Sequence, residues 1–148
     1  MYLYMKNKKH HVKRRWWLRF VNRVTRQQGF FNNLFREVYE TDHEEFFSMT
    51  RMLPEQFDQL CDRVRLYLTK RSNRTPISVE ERLAVTLQFL AHGDSVKSKS
   101  WEYCIGRSTA HKIIGETCDA IWKALQKEYL PRPKKERWTE IMNEFYNK

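Results

Sequence analysis

Five polar side chains at the start of the last long predicted helix have the chemistry needed to contact nucleic acid. They are Arg107, Ser108, Thr109, His111 and Lys112. Guanidinium and ammonium groups pair with phosphates and guanine edges, and hydroxyl or imidazole groups add further hydrogen bonds. Ala110, Ile113 and Ile114 recur among them at helical spacing, which predicts a buried face. We therefore expect the five polar side chains to point outward and to contact DNA.

A second group of candidate ligands is a basic segment at the start of the chain. Residues 1–36 contain ten lysines and arginines and no acidic residue, whereas the rest of the chain has 18 residues of each sign. Such a block is typical of binding to a polyanion, with nucleic acid the first partner and an anionic membrane the second. The residues predicted to contact DNA there are Lys13, Arg14, Arg15 and Arg19. The alternative is a solubilising tail, and basic clusters of this kind also serve as nuclear localisation signals.

Residues that could hold a metal or act in catalysis have simpler interpretations. The adjacent pair His10-His11 lies in the basic segment, where histidines are expected to be solvated. His111 and Cys118 are seven residues apart on one predicted helix, but Cys118 falls on its core face, which disfavours zinc. Carboxylate pairs such as Glu80-Glu81 fit first-turn helix charges. We therefore expect no catalytic residue, no metal site and no cofactor.

The composition favours helices. The chain has 148 residues but only 4 glycines and 4 prolines, which is sparse for a turn-rich β protein. Its three cysteines are widely spaced and form no disulfide framework, and no apolar run approaches the ~20 residues of a membrane span. We predict an all-α protein with a basic arm over residues 1–27 and a helical domain over residues 28–148.

Helix boundaries can be predicted from capping residues. Asp42 with Glu45, and Ser78 with Glu81, have the spacing of a capping box. Pro54 suits the first residue of a helix, because its missing N–H has no partner there in any case. These signals predict helices that begin just after positions 42, 53 and 78.

The last long helix has the clearest periodicity. Its apolar stripe is Ala110, Ile113, Ile114, Thr117, Cys118, Ile121, Trp122 and Leu125. Ser108 is predicted to cap this helix, and Pro131 and Pro133 to end it. Three tryptophans are expected to lie in the core: Trp101, Trp122 and Trp138.

A helix-turn-helix is predicted at about residues 95–114. Gly93 ends one helix, a shorter helical segment follows, and Gly106 is expected to supply the conformational freedom of the turn before the long helix. In such motifs the N-terminal residues of the second helix contact base edges. A plain helical hairpin would give a similar pattern and stays open as the alternative.

Five separated segments occur in the order found in one family of mobile-element proteins. They are residues 14–17 (RRWW), 51–58 (RMLPEQFD), 76–84 (PISVEERLA), 106–109 (GRST) and 129–131 (YLP). In these segments the chain resembles the N-terminal region of Harbinger-type transposases and the nucleases derived from them. Two positions depart from that pattern: Lys99 stands where an apolar residue is usual, and Leu53 where a capping residue is usual. A lysine in a core must extend its charge to water or disrupt the packing.

The resemblance implies a DNA-binding, nuclear module that is not itself an enzyme, with the cytoplasm a further location. In that family an RNase-H-like domain with three metal-binding acids follows, beginning just beyond the segment that corresponds to Phe145. Because this chain ends at Lys148, the resemblance implies a module without the catalytic domain, or a fragment of a longer nuclease. The alternative function is a protein-interaction module, since Harbinger elements encode a Myb-like protein that brings the transposase to DNA. The near-neutral charge around residues 94–112 favours that alternative.

Overall fold

Seven α-helices make up the fold in a computed structural model that describes residues 29–69 and 76–147. A π-helical turn, Phe31–Phe35, leads directly into the first of them. The helices are α1 (Arg36–Thr41), α2 (His43–Thr50), α3 (Pro54–Leu68), α4 (Val79–His92), α5 (Val96–Glu102), α6 (Arg107–Tyr129) and α7 (Lys135–Tyr146). The two described ranges contain no β-strand, so the all-α prediction is confirmed. The predicted DNA contacts Lys13, Arg14, Arg15 and Arg19 lie outside the described residues.

The predicted helix starts are largely confirmed. The carboxylate of Asp42 accepts a hydrogen bond from the backbone N–H of Glu45 at 3.0 Å, and the hydroxyl of Ser78 accepts one from Glu81 at 3.1 Å. Pro54 is the first residue of α3. Leu53 cannot cap this helix with its own side chain, but its backbone N–H donates to the amide oxygen of Gln56 at 2.9 Å.

Helix α4 is the centre of the domain. Its residues 81–88 are all buried, including Leu83 and Val85, and α2, α3, α5 and α6 pack against it. A cluster of phenylalanines joins the N-terminal helices to α3, with ring centroids of Phe35 and Phe46 5.3 Å apart and those of Phe46 and Phe57 5.7 Å apart. Packing against the central helix α4 holds α5 and α6, which carry the predicted site, in place.

Helix α6 packs against α4 and α3 along most of its length. Ala120 packs with Val64 and Leu68 of α3, and its small side chain leaves room for α3 to approach closely. Leu68, the last residue of α3, lines a cleft together with Lys112 and Glu116 of α6, whereas Arg63, five residues earlier, forms an ion pair with Glu128 near the C-terminal end of α6 at 2.5 Å. The two helices therefore run antiparallel.

The prediction that three tryptophans lie in the core is wrong. Trp101, Trp122 and Trp138 are 67%, 54% and 59% exposed. On α6 the apolar stripe is wider than the face that neighbouring helices cover. Helix α3 covers the side that carries Ala120, which leaves Trp122 on the uncovered edge. A spacing pattern shows which residues share a face but not how much of that face is packed.

Candidate nucleic-acid interface

The connection between α5 and α6 is held firmly to the core. Tyr103 is buried, and its hydroxyl donates to the side-chain oxygen of Gln88 in α4 at 2.9 Å. The backbone N–H of Ile105 donates to the carbonyl of Ser100 at 3.0 Å, so the chain turns tightly after α5. This anchoring sets the position at which α6 begins.

Two predictions about this turn are wrong. Gly106 has φ −66° and ψ 140°, which any residue adopts, and the residue with positive φ in the turn is Cys104, at 51°. Helix α6 begins at Arg107, so Gly106 is the N-cap and Ser108 lies inside the first turn rather than before it. Within the described residues, no side chain caps this end of α6.

The predicted orientation of the site residues is confirmed. The five polar residues are exposed: Arg107, Ser108, Thr109, His111 and Lys112. Ala110, Ile113 and Ile114 are buried and hold α6 against the core. Short helix, four-residue connection and long helix follow one another in the order of a helix-turn-helix, and contact of this surface with DNA stays a prediction.

Lys99 on α5 is buried, with only 4% of its side chain exposed. Its ammonium group lies 2.8 Å from carboxylate oxygens of both Asp94 and Glu102. Burial alone would lower the pKa of Lys99, but the hydrogen bonds to the two carboxylates outweigh it and leave that pKa raised. Lys99 therefore neither extends its charge into water nor disrupts the packing, because the carboxylates of Asp94 and Glu102 pair with its ammonium group.

This cluster changes how the charge around the motif is distributed. Asp94 and Glu102 are directed toward the buried Lys99, whereas Lys97, Arg107 and Lys112 are exposed. The net charge of these six residues is +2: the three exposed cations contribute +3, and the cluster of Lys99 with Asp94 and Glu102 contributes −1. The three exposed cations are therefore partly opposed by two carboxylates that water also reaches.

The acid nearest the predicted DNA-contacting residues on α6 is also paired with a buried cation. Glu116 pairs with the buried guanidinium of Arg82 at 2.5 Å, while the exposed ammonium of Lys112 lies 3.9 Å from its other oxygen. Arg82 in turn donates to the carbonyl of Leu68 at 3.3 Å. Arg82 thus draws the carboxylate toward the interior and leaves the Lys112 side chain 70% exposed.

A cleft of about 310 Å³ lies beside this surface. Thr109, Lys112 and Ile113 line it from α6, and Arg82 of α4 lines it together with Ser78, the residue before that helix. The predicted DNA-contacting face is therefore continuous with a depression toward the N-terminus of α4.

Reasoning from sequence missed one pair on α5. The ammonium group of Lys97 lies 4.8 Å from the centre of the Trp101 ring, and both side chains are exposed beside the motif. The spacing of four residues on a short helix was the available signal. Because Trp101 was predicted to lie in the core, its pairing with Lys97 was not predicted.

Two of the three cysteines have thiols whose pKa is shifted by burial. Burial raises the pKa of Cys61 to about 12 and also raises that of Cys118, which keeps both thiols protonated at neutral pH. Within residues 29–69 and 76–147, no group of three or more histidine, cysteine or acidic side chains is placed to hold a metal ion. In the same ranges, no helix is long and apolar enough to cross a membrane.

The chain matches the model of a protein family over most of the described helices. No curated protein and no solved structure matches the chain. The family described as Domain of unknown function (DUF8040) matches residues 30–123, from just before the π-helical turn to within α6. This range is more than half of the chain and contains the whole α5–α6 surface, so the protein belongs to the DUF8040 family.

Proposed function

We propose that this protein is a DNA-binding module in which α5 and α6 act as a helix-turn-helix. The observation that carries the proposal is the N-terminal end of α6. It exposes Arg107 and Lys112, has no acidic residue in its first turn and is capped by no side chain of the described residues. Free backbone N–H groups and two cations at one helix end make a surface suited to a polyanion.

The energetic argument rests on the helix dipole. A helix N-terminus carries partial positive charge, so an acid there stabilises the helix by about 0.3–1 kcal/mol and a cation destabilises it by a similar amount. Helices α2, α3, α4 and α7 each have a glutamate in the first turn, whereas α6 has Arg107. A bound phosphate would offset that cost. This supports a role for Arg107 in binding rather than in folding.

In the proposed complex, each exposed group has a role set by its chemistry. Arg107 and Lys112 pair with guanine edges or phosphates, while Ser108, Thr109 and His111 supply hydrogen bonds to neighbouring groups. In the basic segment, Lys13, Arg14, Arg15 and Arg19 contact phosphates irrespective of sequence. The buried anchors Ile113 and Ile114 keep α6 from tilting away.

The proposal extends to lineage and location. The five segments that resemble Harbinger-type transposases support descent from a transposase, with a nuclease-like protein as the full-length relative. In that setting the module binds DNA in the nucleus and does not cleave it. Incubation with plasmid DNA and Mg²⁺ or Mn²⁺ should leave the DNA intact, and cleavage that responds to mutation of the chain's own acids would contradict this.

A salt titration separates the basic segment from the helix surface. Each neutralised phosphate contributes about 0.9 to the slope of log K against log salt, so four to six contacts predict a slope of roughly −4 to −5. Deleting residues 1–15 removes six cations and should flatten this slope by more than half, weakening all DNA sequences alike. An unchanged slope after the deletion would reject phosphate contacts by the segment.

A second candidate function is a protein-interaction module for a Myb-like DNA-binding partner. The exposed apolar side chains favour it, above all Trp101 and Trp122. Exposed aromatics of this size are typical of binding hot spots. If Trp122→Ala abolishes binding of a Myb-like domain while Arg107→Ala leaves DNA affinity unchanged, the interaction module becomes the better proposal.

A further inference from the structure

Helix α7 presents an apolar face that the rest of the protein does not cover. It is the one helix of the described chain with no buried residue. Trp138 is 59% and Phe145 84% exposed, and Ile141 is half-buried. The DUF8040 match ends at residue 123, so α7 lies outside the family domain as well.

The spacing on α7 is that of a helix that pairs with another helix. Trp138, Ile141 and Phe145 follow one another at three and four residues, and Met142 lies beside them. This is the a/d pattern of a coiled-coil seam, which buries one narrow face against a second helix. A 12-residue helix with such a face exposed gains stability when the face is covered.

The charges that flank the seam identify the second helix. Arg137 and Glu144 are seven residues apart, so they lie on the same flank of the apolar stripe. When two copies of one helix pack antiparallel, each flank meets the same flank of its partner. Arg137 then faces Glu144 of the second copy, and Glu144 faces its Arg137. A parallel pair would instead set Arg137 beside Met142 and make neither ion pair.

We propose that α7 is a self-association element that pairs antiparallel with α7 of a second copy of this chain. In the register that joins Arg137 to Glu144, Trp138 of each copy lies opposite Ile141 of the other. Two Trp–Ile layers form the centre, and both ion pairs lie along the one flank that carries Arg137 and Glu144. The antiparallel arrangement also opposes the two helix dipoles favourably.

The polar face of α7 disfavours a membrane as the occupant. Helices that bind anionic membranes carry lysine and arginine on the polar face. The charged side chains of α7 are instead Glu136, Glu140 and Glu144 against Lys135 and Arg137, a net charge of −1. Arg137 and Glu144 of one copy are complementary to Glu144 and Arg137 of another, which supports a second copy of this chain as the binding partner of α7.

The expected association is weak. Few apolar side chains contribute from each copy, so the interface falls below the ~1,000 Å² of a stable complex. We expect a Kd of about 10–100 µM, and two copies bound to neighbouring DNA sites would associate more readily through their raised effective concentration. The pairing does not depend on DNA binding, so either proposal can fail while the other stands.

Sedimentation equilibrium of the full chain without DNA tests the pairing. The wild type should show a monomer–dimer equilibrium, and Trp138→Glu should be monomeric with an unchanged thermal midpoint, because no α7 residue is buried in the domain. A wild type that is monomeric up to several hundred µM would overturn the proposal. So would a dimer that Trp138→Glu leaves intact.

Charge reversal tests the antiparallel register. Arg137→Glu and Glu144→Arg should each weaken the dimer by about fivefold or more, because each sets two like-charge pairs across the interface. An equimolar mixture of the two variants restores both ion pairs and should recover wild-type affinity, and so should the double variant alone. Glu140→Gln is the matched control: it breaks only the 2.8 Å ion pair between Arg137 and Glu140 within the helix and should leave the dimer intact. Failure of the mixture to recover would overturn the antiparallel pairing.

Discussion

Helices α4 and α6 pack against each other, yet their N-terminal ends are built in opposite ways. At the start of α4, Ser78 caps the helix and Glu80 and Glu81 occupy the first turn. At the start of α6, Gly106 supplies no cap and Arg107 takes the first position. Stability alone would favour the first solution at both ends. The proposed binding of DNA phosphate at the start of α6 would account for the difference.

The two helices also differ in how much of their surface the fold uses. In α4 every residue from 81 to 88 is buried, including the polar Thr86 and Gln88. In α6 the buried residues form one stripe and the opposite face stays exposed. Helix α4 is thus the scaffold, and α6 is a helix held by that scaffold with one face free for contact.

The largest expected effects come from the buried face that the two helices share. Leu83→Ala in α4 and Ile113→Ala in α6 should each lower the free energy of unfolding by about 2–5 kcal/mol, since both side chains are buried. Trp122→Ala, at an exposed position on α6, should cost less than about 1 kcal/mol. Urea denaturation measures all three, and a wild-type midpoint for Leu83→Ala would contradict the central role of α4.

An intermediate effect is expected at the Lys99 cluster, which supports the start of α6 through α5. The double variant Asp94→Asn with Glu102→Gln leaves a buried ammonium without a charged partner and should cost about 2–3 kcal/mol. This is below the ~3–5 kcal/mol of a fully buried pair, because water reaches both carboxylates. Lys99→Met removes the buried charge itself and should cost less than the double variant. The reverse order would contradict the assigned roles.

The same cluster gives a pH dependence with a defined sign. The hydrogen bond from Lys99 lowers the pKa of Asp94, so its stabilisation is present above the ordinary carboxyl range near pH ~4 and is lost on acidification. The pKa of Lys99 is raised, so its contribution is present below pH ~10 and is lost as the pH rises further. Between pH 5 and 9, the denaturant midpoints of wild type and Lys99→Met should therefore change with pH in nearly the same way. On acidification the wild-type midpoint should fall more steeply than that of Lys99→Met, because only the wild type loses the interaction between Lys99 and Asp94.

Much of this fold could be predicted because its helix boundaries are marked by local chemistry. Asp42 and Ser78 accept hydrogen bonds from the residues expected, Pro54 begins α3, and Gly93 ends α4 with φ 69°. These interactions involve residues close in sequence, so no knowledge of the tertiary fold is needed to expect them. The outward orientation of Arg107 and Lys112 followed in the same way from helical spacing.

The errors have two sources: a tertiary contact in one case and local geometry in the others. Trp122 shares the apolar stripe of α6, but α3 covers the side of Ala120, and no spacing pattern shows which edge a neighbouring helix will occupy. Ser108 resembles a cap, but the helix had already begun at Arg107. Lys99 looked disruptive because its partners, Asp94 and Glu102, only meet it once α5 has folded.

The smallest expected effects compare the two helix ends directly. Ser78→Ala should destabilise the protein by about 1 kcal/mol through loss of the cap on α4. Arg107→Glu should stabilise it by about 0.3–1 kcal/mol without DNA, because it gives α6 the first-turn acid that α4 already has. Lys127→Glu, in the last turn of the same helix, is the matched control and should destabilise slightly. Thermal unfolding at low salt measures the three, and a loss of stability for Arg107→Glu would remove the dipole argument.

Binding of duplex DNA by variants at the two ends of α6 tests the central claim most directly. The double variant Arg107→Ala with Lys112→Ala removes two cations from the N-terminal end, and Lys123→Ala with Lys127→Ala removes two from the exposed C-terminal half. Fluorescence anisotropy over a panel of duplex sequences at fixed salt measures both. If α6 reads DNA with its N-terminal end, the first variant loses about tenfold or more in affinity and discriminates sequences less, while the second changes little. Equal losses from the two variants on every sequence would contradict the claim.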